Sequence, residues 1–369
     1  MRDDEAMERA LHIAATARRR TAPNPWVGAV LVRHGEIVGE GATQPPGGDH
    51  AEIAALAAAG DRAQGATAYV TLEPCSHRGR TGPCADALVA AGVTRVVVAL
   101  ADPDERVAGQ GIERLRAAGV DVVDIDGNYR DQAAALLAPY LHHRRTHRAY
   151  CVVKAATSLD GRIAAADGSS RWITGPEARA DAHELRANAQ AIVVGAGTAL
   201  ADRPALTVRD ADPMPRLAPL RVLLDARGRV PAEGPLFDSS LAPTLVVTTE
   251  AADARTLDAW RAAGAKVETL DPGAGGVGVD LDRTLELLGR LGVLEALVEG
   301  GAALHGALLG QGLAQRLVAY IAPGLLGDGG RAGYGITGPQ SIDDFERWRL
   351  ASVRALGDDV RLDYEPVVR

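Results

Sequence analysis

Short valine-rich apolar runs alternate along this chain with alanine-rich stretches of helical spacing, and that alternation most narrows the fold. Val27–Val32 and Glu36–Gly41 flank His34-Gly35 as a hairpin, and strand-like runs follow at Ala66–Leu72, Thr94–Leu100 and Val120–Ile125. A first helix is expected over residues 5–20, from the spacing of Met7, Ala10, Leu11, Ala14 and Ala15 and the closing Arg18-Arg19-Arg20. Ala51–Ala59, Cys84–Ala91 and Gly109–Ala118 supply crossover helices, so the first part reads as an α/β sheet with helices on its faces. A second alternation runs through Tyr150–Ala156, Ala191–Val194, Leu220–Leu224, Thr244–Thr248 and Ala296–Glu299, with loops or inserts at Ala211–Pro219 and Asp271–Gly278. Tyr140–Arg148, with three His and three Arg and little periodicity, reads as a solvated basic linker, which divides the chain into domains 1–146 and 147–369.

Two domains suit the length of 369 residues, each large enough to bury a core. Only 4% of residues are aromatic while 47% are hydrophobic, so those cores must be packed from Ala, Val, Leu and Ile. A net charge of −8 argues against a nucleic-acid partner, and no run of about 20 apolar residues offers a membrane span or a signal peptide. A cytoplasmic location is the expectation. Lys154 and Lys266 are the only lysines, so either one stands out. Three cysteines cannot build a disulfide framework, and a spaced pair in a reducing compartment points to a metal or catalytic site.

His50-Ala51-Glu52 opens a predicted helix, and Pro74-Cys75 and Pro83-Cys84 bracket a loop that leads into another. One imidazole and two thiolates are the ligand set of a catalytic zinc, with the fourth position left to water. Glu52 is placed to reach that water and to pass its proton to a leaving amine, as in the zinc nucleobase deaminases. Here eight residues separate the cysteines instead of two. A structural zinc or two unrelated buried cysteines would leave Glu52 without a task. His77 is either a fourth ligand or a substrate contact, and an occupied fourth position would block water activation.

In the second half, Lys154 follows a strand beside small residues that leave room for a ligand. Trp172 is either core or a flat face for an aromatic ring. Gly195-Ala196-Gly197-Thr198 lacks the third glycine of the dinucleotide fingerprint and reads equally as a tight turn. Val298 to Ala307 runs from a strand through Gly300-Gly301 into a helix whose first amides could cradle a phosphate, and Asp202 to Arg209 could clamp one. Residue chemistry alone supports an anion-binding α/β domain.

His50-Ala51-Glu52, Thr71 to His77, Gly79-Arg80-Thr81, Pro83-Cys84 and Asn24-Pro25 closely resemble the deaminase half of the bifunctional riboflavin-biosynthesis deaminase/reductase family. Lys154 to Ala164, Trp172-Ile173-Thr174, Thr198 to Arg209 and Glu299 to Ala307 resemble its reductase half, in the same order. The resemblance implies a cytidine-deaminase-like α/β/α sandwich followed by a dihydrofolate-reductase-like α/β domain. It implies Zn2+ on His50, Cys75 and Cys84, Glu52 as proton shuttle, Asn24 at the pyrimidine, and His77, Arg80 and the loop at Asp102 at the ribose phosphate. It further implies NADPH along Ala156, Trp172, Thr198, Asp202 and the turn Gly301, Ala302, Ala303, Leu304, His305, Gly306 and Ala307. Ser170, Arg186, Leu206, Arg209 and Glu299 would meet the substrate, with Lys154 and Glu299 managing proton transfer. Thr43, where a His is common, and Asp104-Glu105, where Asn-Pro is frequent, depart from the pattern. The expected partner is a small phosphorylated pyrimidine, deaminated and then reduced from ribosyl to ribityl, with the chain in a homo-oligomer. The alternatives are a zinc deaminase of another pyrimidine and a non-catalytic zinc and dinucleotide sensor.

Overall fold

β-branched residues are stiff at χ1 and suit a pleated surface, and the valine-rich runs become strands where the alternation marks them. The structure, a computed structural model, describes residues 1–76, 82–105, 107–125 and 128–367, and it divides into two units, Met1–His147 and Arg148–Arg369. The first unit runs α1 (Asp3–Ala17), β1 (Gly28–Arg33), β2 (Glu36–Ala42), α2 (Ala51–Ala59), β3 (Thr67–Val70), α3 (Cys84–Ala90), β4 (Arg95–Val98), α4 (Gln110–Ala117), β5 (Asp121–Asp124) and α5 (Asn128–Thr146). Its sheet has the order β2-β1-β3-β4-β5, with β1 antiparallel to both β2 and β3, and with β3, β4 and β5 parallel. Val30, Val32, Tyr69 and Val97 face α1 and α5. Helix α2 packs on β2 through Gly41, where a Cβ would lie 2.3 Å from the Ala51 carbonyl oxygen. That close approach fixes the helix start that carries His50 and Glu52.

The expected linker at Tyr140–Arg148 is corrected: α5 continues to Thr146. Leu137, Tyr140 and Leu141 are buried at helical spacing, and this apolar stripe decides the conformation while the His and Arg residues occupy the remaining positions.

Beyond β3, the buried Glu73 carboxylate collects four backbone N–H groups, from Asp102 (3.1 Å), Gly109 (3.0 Å), Gly111 (2.9 Å) and Ile112 (3.2 Å). Gly111 lies so close that a Cβ would sit 1.9 Å from the Pro74 carbonyl oxygen. The loop after β4 and the start of α4 are thereby tied to the residue before Cys75.

The second unit contains β6 (Tyr150–Ser158), β7 (Arg162–Ala164), α6 (Pro176–Asn188), β8 (Ala191–Gly195), α7 (Ala196–Asp202), β9 (Leu220–Leu224), β10 (Thr244–Thr248), α8 (Ala254–Ala262), β11 (Lys266–Thr269), α9 (Leu281–Arg290), β12 (Glu295–Val298), α10 (Ala302–Gly310), β13 (Arg316–Ala322), β14 (Arg331–Ala332), β15 (Trp348–Leu356) and β16 (Asp359–Pro366). Nine strands form one sheet in the order β11-β10-β9-β8-β12-β6-β13-β16-β15, parallel from β11 to β13 and antiparallel beyond. Alternate residues face opposite sides. Val153, Val193 and Val298 meet α9 and α10, whereas Ile192, Val194 and Leu223 meet α7 and α8.

Near the antiparallel end an ion cluster takes the place of apolar packing. Arg361 donates to Asp181 at 2.6 Å and to Asp363 at 2.8 and 2.9 Å, and Tyr320 donates to Asp181 at 2.5 Å. Burial opposes ionisation of Asp181 and Asp363, but Tyr320, Arg361 and Arg316 outweigh it and hold these carboxyls below the usual range.

Replacing Glu73 with Ala strands four backbone donors, so Glu73→Ala is expected to destabilise the first unit by about 3–5 kcal/mol, by analogy with breaking a buried pair. Calorimetry of the full chain would show the first unit's transition moving down while the second unit's stays. The lowered carboxyls make the second unit's stability complete above the unfolded carboxylate value near pH 4. That stability is lost as the pH falls through the lower folded values. Asp181→Asn should flatten the fall in melting temperature between about pH 5 and pH 2, and an unchanged slope would contradict this account.

Candidate active sites

In the first unit three segments converge. His50 immediately precedes α2, Cys75 follows β3, and Cys84 begins α3. The Nδ1 of His50 lies 3.6 Å from the Cys75 Sγ and 3.3 Å from the Cys84 Sγ, and the three ligand atoms all lie within 4.8 Å of one another. The backbone N–H of Cys84 donates to the Cys75 sulfur at 3.4 Å. Hydrogen bonding to Cys84 and His50 pushes the Cys75 thiol well down toward its thiolate, the form a metal requires. Three soft or borderline donors from separate segments, with one sulfur already favoured as thiolate, fit Zn2+. Burial pushes the Glu52 carboxyl up to about 7, so at neutral pH it can either hold or release a proton.

A cavity of about 400 Å³ opens onto this centre, and Asn24, Thr43, His50, Glu52 and Cys75 are among its lining residues. Asn24 lines the cavity together with two of the ligand residues, His50 and Cys75, and Glu52. Thr43, whose Oγ accepts from the Val27 N–H at 3.1 Å, lines the wall directly. His77 and Arg80 lie outside the described residues. Sequence reasoning missed Tyr140 and Arg144, which line the same cavity from α5. Their signal, an apolar stripe through a histidine- and arginine-rich segment, was present but masked by composition.

The second unit carries a larger cleft of about 800 Å³ across the ends of β8 and β9 and the starts of α7 and α10. Of the expected cofactor residues, Thr198, Asp202, Gly301, Ala302, Ala303, Leu304 and Ala307 line it, and Ser170 does too. Ala156, Trp172, His305 and Gly306 are not among its lining residues. Trp172 is 69% exposed with the Arg179 guanidinium 4.7 Å from its ring centre, so the core alternative fails for it. His305 is buried with its Nδ1 3.4 Å from the Gly333 carbonyl oxygen, and burial lowers its pKa to about 4. Gly306 packs so tightly that a Cβ would lie 2.1 Å from the Gly335 carbonyl oxygen. Arg227, Arg229 and the Gly273–Gly278 loop also line the cleft, and no sequence motif flagged them.

Lys154 and Glu299 stand on neighbouring strands, β6 and just beyond β12. Arg186 of α6 grips the Glu299 carboxylate with two hydrogen bonds, of 2.5 and 2.8 Å, and donates to the Thr207 carbonyl at 3.0 Å. Burial would raise Glu299, but Arg186 and Lys154 outweigh it and bring the carboxyl down to about 2. Burial lowers Lys154, partly offset by the charge of Glu299, and its ammonium lies 5.6 Å from the Tyr320 ring centre. Leu206 is buried in the core against α7, and Arg209 donates its backbone N–H to His183 at 3.2 Å.

Comparison with known proteins agrees with both halves. Residues 1–100 match the cytidine and deoxycytidylate deaminase zinc-binding region, and residues 149–362 match the RibD C-terminal domain. The riboflavin biosynthesis protein RibD of Escherichia coli is 43% identical, with 98% of this chain and 99% of that protein aligned. RibD of Bacillus amyloliquefaciens is 40% identical over 98% of this chain and 95% of its own. Among solved structures, Acinetobacter baumannii RibD superposes with a TM-score of 0.87 at 37% identity, covering 99% of each chain. A Thermotoga maritima diaminohydroxyphosphoribosylaminopyrimidine deaminase/5-amino-6-(5-phosphoribosylamino)uracil reductase gives 0.86 at 29% identity, again over 99% of each chain. The cofactors that fit are Zn2+ in the first domain and NADPH in the second. With its zinc-binding deaminase domain followed by a reductase domain, the chain belongs to the RibD family of bifunctional riboflavin-biosynthesis enzymes.

Proposed function

We propose that the two sites act on one phosphorylated pyrimidine in sequence: hydrolytic loss of the ring amine from 2,5-diamino-6-ribosylamino-4(3H)-pyrimidinone 5′-phosphate, then reduction of the ribosyl chain of the product to ribityl. The two activities of the Thermotoga relative, a diaminohydroxyphosphoribosylaminopyrimidine deaminase and a 5-amino-6-(5-phosphoribosylamino)uracil reductase, support this pair of substrates. The observation that carries the first step is the buried Glu52 beside a His-Cys-Cys ligand set. His50, Cys75 and Cys84 would hold Zn2+, which would supply a Lewis acid that lowers the pKa of a bound water toward neutrality. Glu52 takes a proton from the attacking water and delivers it to the nitrogen that leaves as ammonia, while Asn24 holds the pyrimidine.

NADPH supplies the hydride for the second step. Thr198, Asp202, Gly301–Leu304 and Ala307 form its cradle in the large cleft, whereas Ala156, Trp172, His305 and Gly306 stand outside its lining. Ser170, Arg186, Leu206 and Arg209 flank the substrate. Opening the sugar ring needs a proton as well as a hydride. Glu299, ionised under its Arg186 clamp, serves as a fixed negative charge, and Lys154, whose burial favours giving up a proton, is the donor.

Among the described residues no helix is long and apolar enough to cross a membrane, which agrees with a cytoplasmic enzyme, and the acidic net charge agrees with a partner other than nucleic acid. β15 is an edge strand with Leu350 and Val353 about half exposed, which supports a homo-oligomer formed by covering that edge.

Glu52→Gln should abolish ammonia release, by about a thousandfold or more, and retain zinc and NADPH oxidation on the deaminated intermediate. Lys154→Ala should do the reverse, and either change abolishing both activities would overturn the division of labour. Stripping the metal with a chelator should stop ammonia release, with NADPH oxidation on the deaminated intermediate unaffected.

A further inference from the structure

The cavity of the first unit poses a charge problem for a phosphorylated ligand. Four carboxylates, Glu52, Glu73, Asp102 and Asp104, line it, and a phosphate dianion would be repelled unless they are satisfied or balanced. Glu73 is met by its four backbone donors, and Asp102 accepts from the Tyr140 hydroxyl at 3.1 and 3.3 Å and from the Asp104 N–H at 2.9 Å. The remaining balance is local. Arg144, the one arginine among the described lining residues, places its Nε 3.4 Å from a carboxylate oxygen of the nearly buried Asp104. Its guanidinium carbon lies 4.9 Å from the Tyr140 ring centre.

We propose that Arg144 holds the phosphate of the deaminase substrate, with Asp104 and Tyr140 as the positioning residues that aim its guanidinium. This inference rests on the deaminase reading above. Asp104 faces the Nε side of the guanidinium as an ion pair without a hydrogen bond, and a guanidinium is a planar fork of five donors, so pairing there is compatible with two-point binding of phosphate through the terminal nitrogens. The stack on Tyr140 restrains the plane of the fork, and Tyr140 is itself held by Asp102. The Arg144 side chain remains 23% exposed, so it is withdrawn from bulk water yet open to a ligand. The acidic Asp104 therefore belongs to an ion pair that orients the cation a phosphate needs.

The test measures ammonia release from the phosphorylated substrate and from its dephosphorylated counterpart, using the zinc-loaded full chain. For Arg144→Gln the preference in kcat/KM for the phosphorylated compound should fall about 10- to 100-fold, through KM more than kcat, as for the loss of a charge-assisted bond. Arg144→Lys should recover part of that preference, because it restores charge without the fork. Inorganic phosphate should inhibit the wild type competitively and Arg144→Gln about tenfold more weakly. Equal losses on both substrates, or an unchanged preference, would overturn the proposal and leave Arg144 as a structural partner of Asp104. Retained zinc and an unshifted first-unit melting transition show that the Gln variant is folded; where it is not, the Lys variant decides by the same ratio. A wild type that releases ammonia from neither compound would instead overturn the deaminase reading itself.

Discussion

Four backbone N–H groups converge on the Glu73 carboxylate, and the segment leading to Cys75 and the far wall of the first cavity both depend on that junction. A carboxylate saturated by main-chain donors is stable in a dry interior because each lone pair has a partner. Its position directly before Pro74-Cys75 means that the sulfur ligand is placed by the same group that orders Asp102 and the start of α4. Gly111 completes the arrangement by letting α4 touch the Pro74 carbonyl. The catalytic centre is thus held by backbone geometry, and its side chains remain available for chemistry.

The two domains use glutamate in opposite ways. Among the described residues Glu52 has no arginine or lysine clamp, so apart from any metal charge burial dominates and its carboxyl rises to about 7. Glu299 is nearly as withdrawn from water, yet the two-point grip of Arg186 brings it down to about 2. The first is suited to exchange protons and the second to hold a charge. Neighbours, and not residue type, decide between these roles.

Much of the candidate site was legible because its chemistry lies in short contiguous segments. His50-Ala51-Glu52, Pro74-Cys75 and Pro83-Cys84 each sit at a helix start or strand end, where a local pattern suffices to place them. The glycine turn before α10 was legible for the same reason. What escaped notice depends on distant partners. Arg227 and Arg229 line the large cleft from the turn after β9, which only the folded sheet brings to the same cleft as α10, and no motif marks them. β15 and β16 went unread because Arg361 and Asp363, inward-facing ions paired with each other and with Asp181, stand where an apolar alternation would be expected. The α5 segment read as a linker because His142, His143, Arg144 and Arg145 obscured the spacing of Leu137, Tyr140 and Leu141.

The sequence by itself determined the α/β class and the short segments that offer a His-Cys-Cys ligand set with Glu52 two positions from the histidine, since each rests on residue type at fixed short spacing. Only the tertiary structure decided how far Glu52 and Glu299 diverge in acidity, that His305 and Gly306 pack inward while their neighbours line the cleft, and that Arg144 belongs to the deaminase cavity. The physical reason is common to all three: burial and electrostatic environment are set by groups far away in sequence, such as Arg186 for Glu299 at 113 residues and Asp104 for Arg144 across the turn of a helix and a strand.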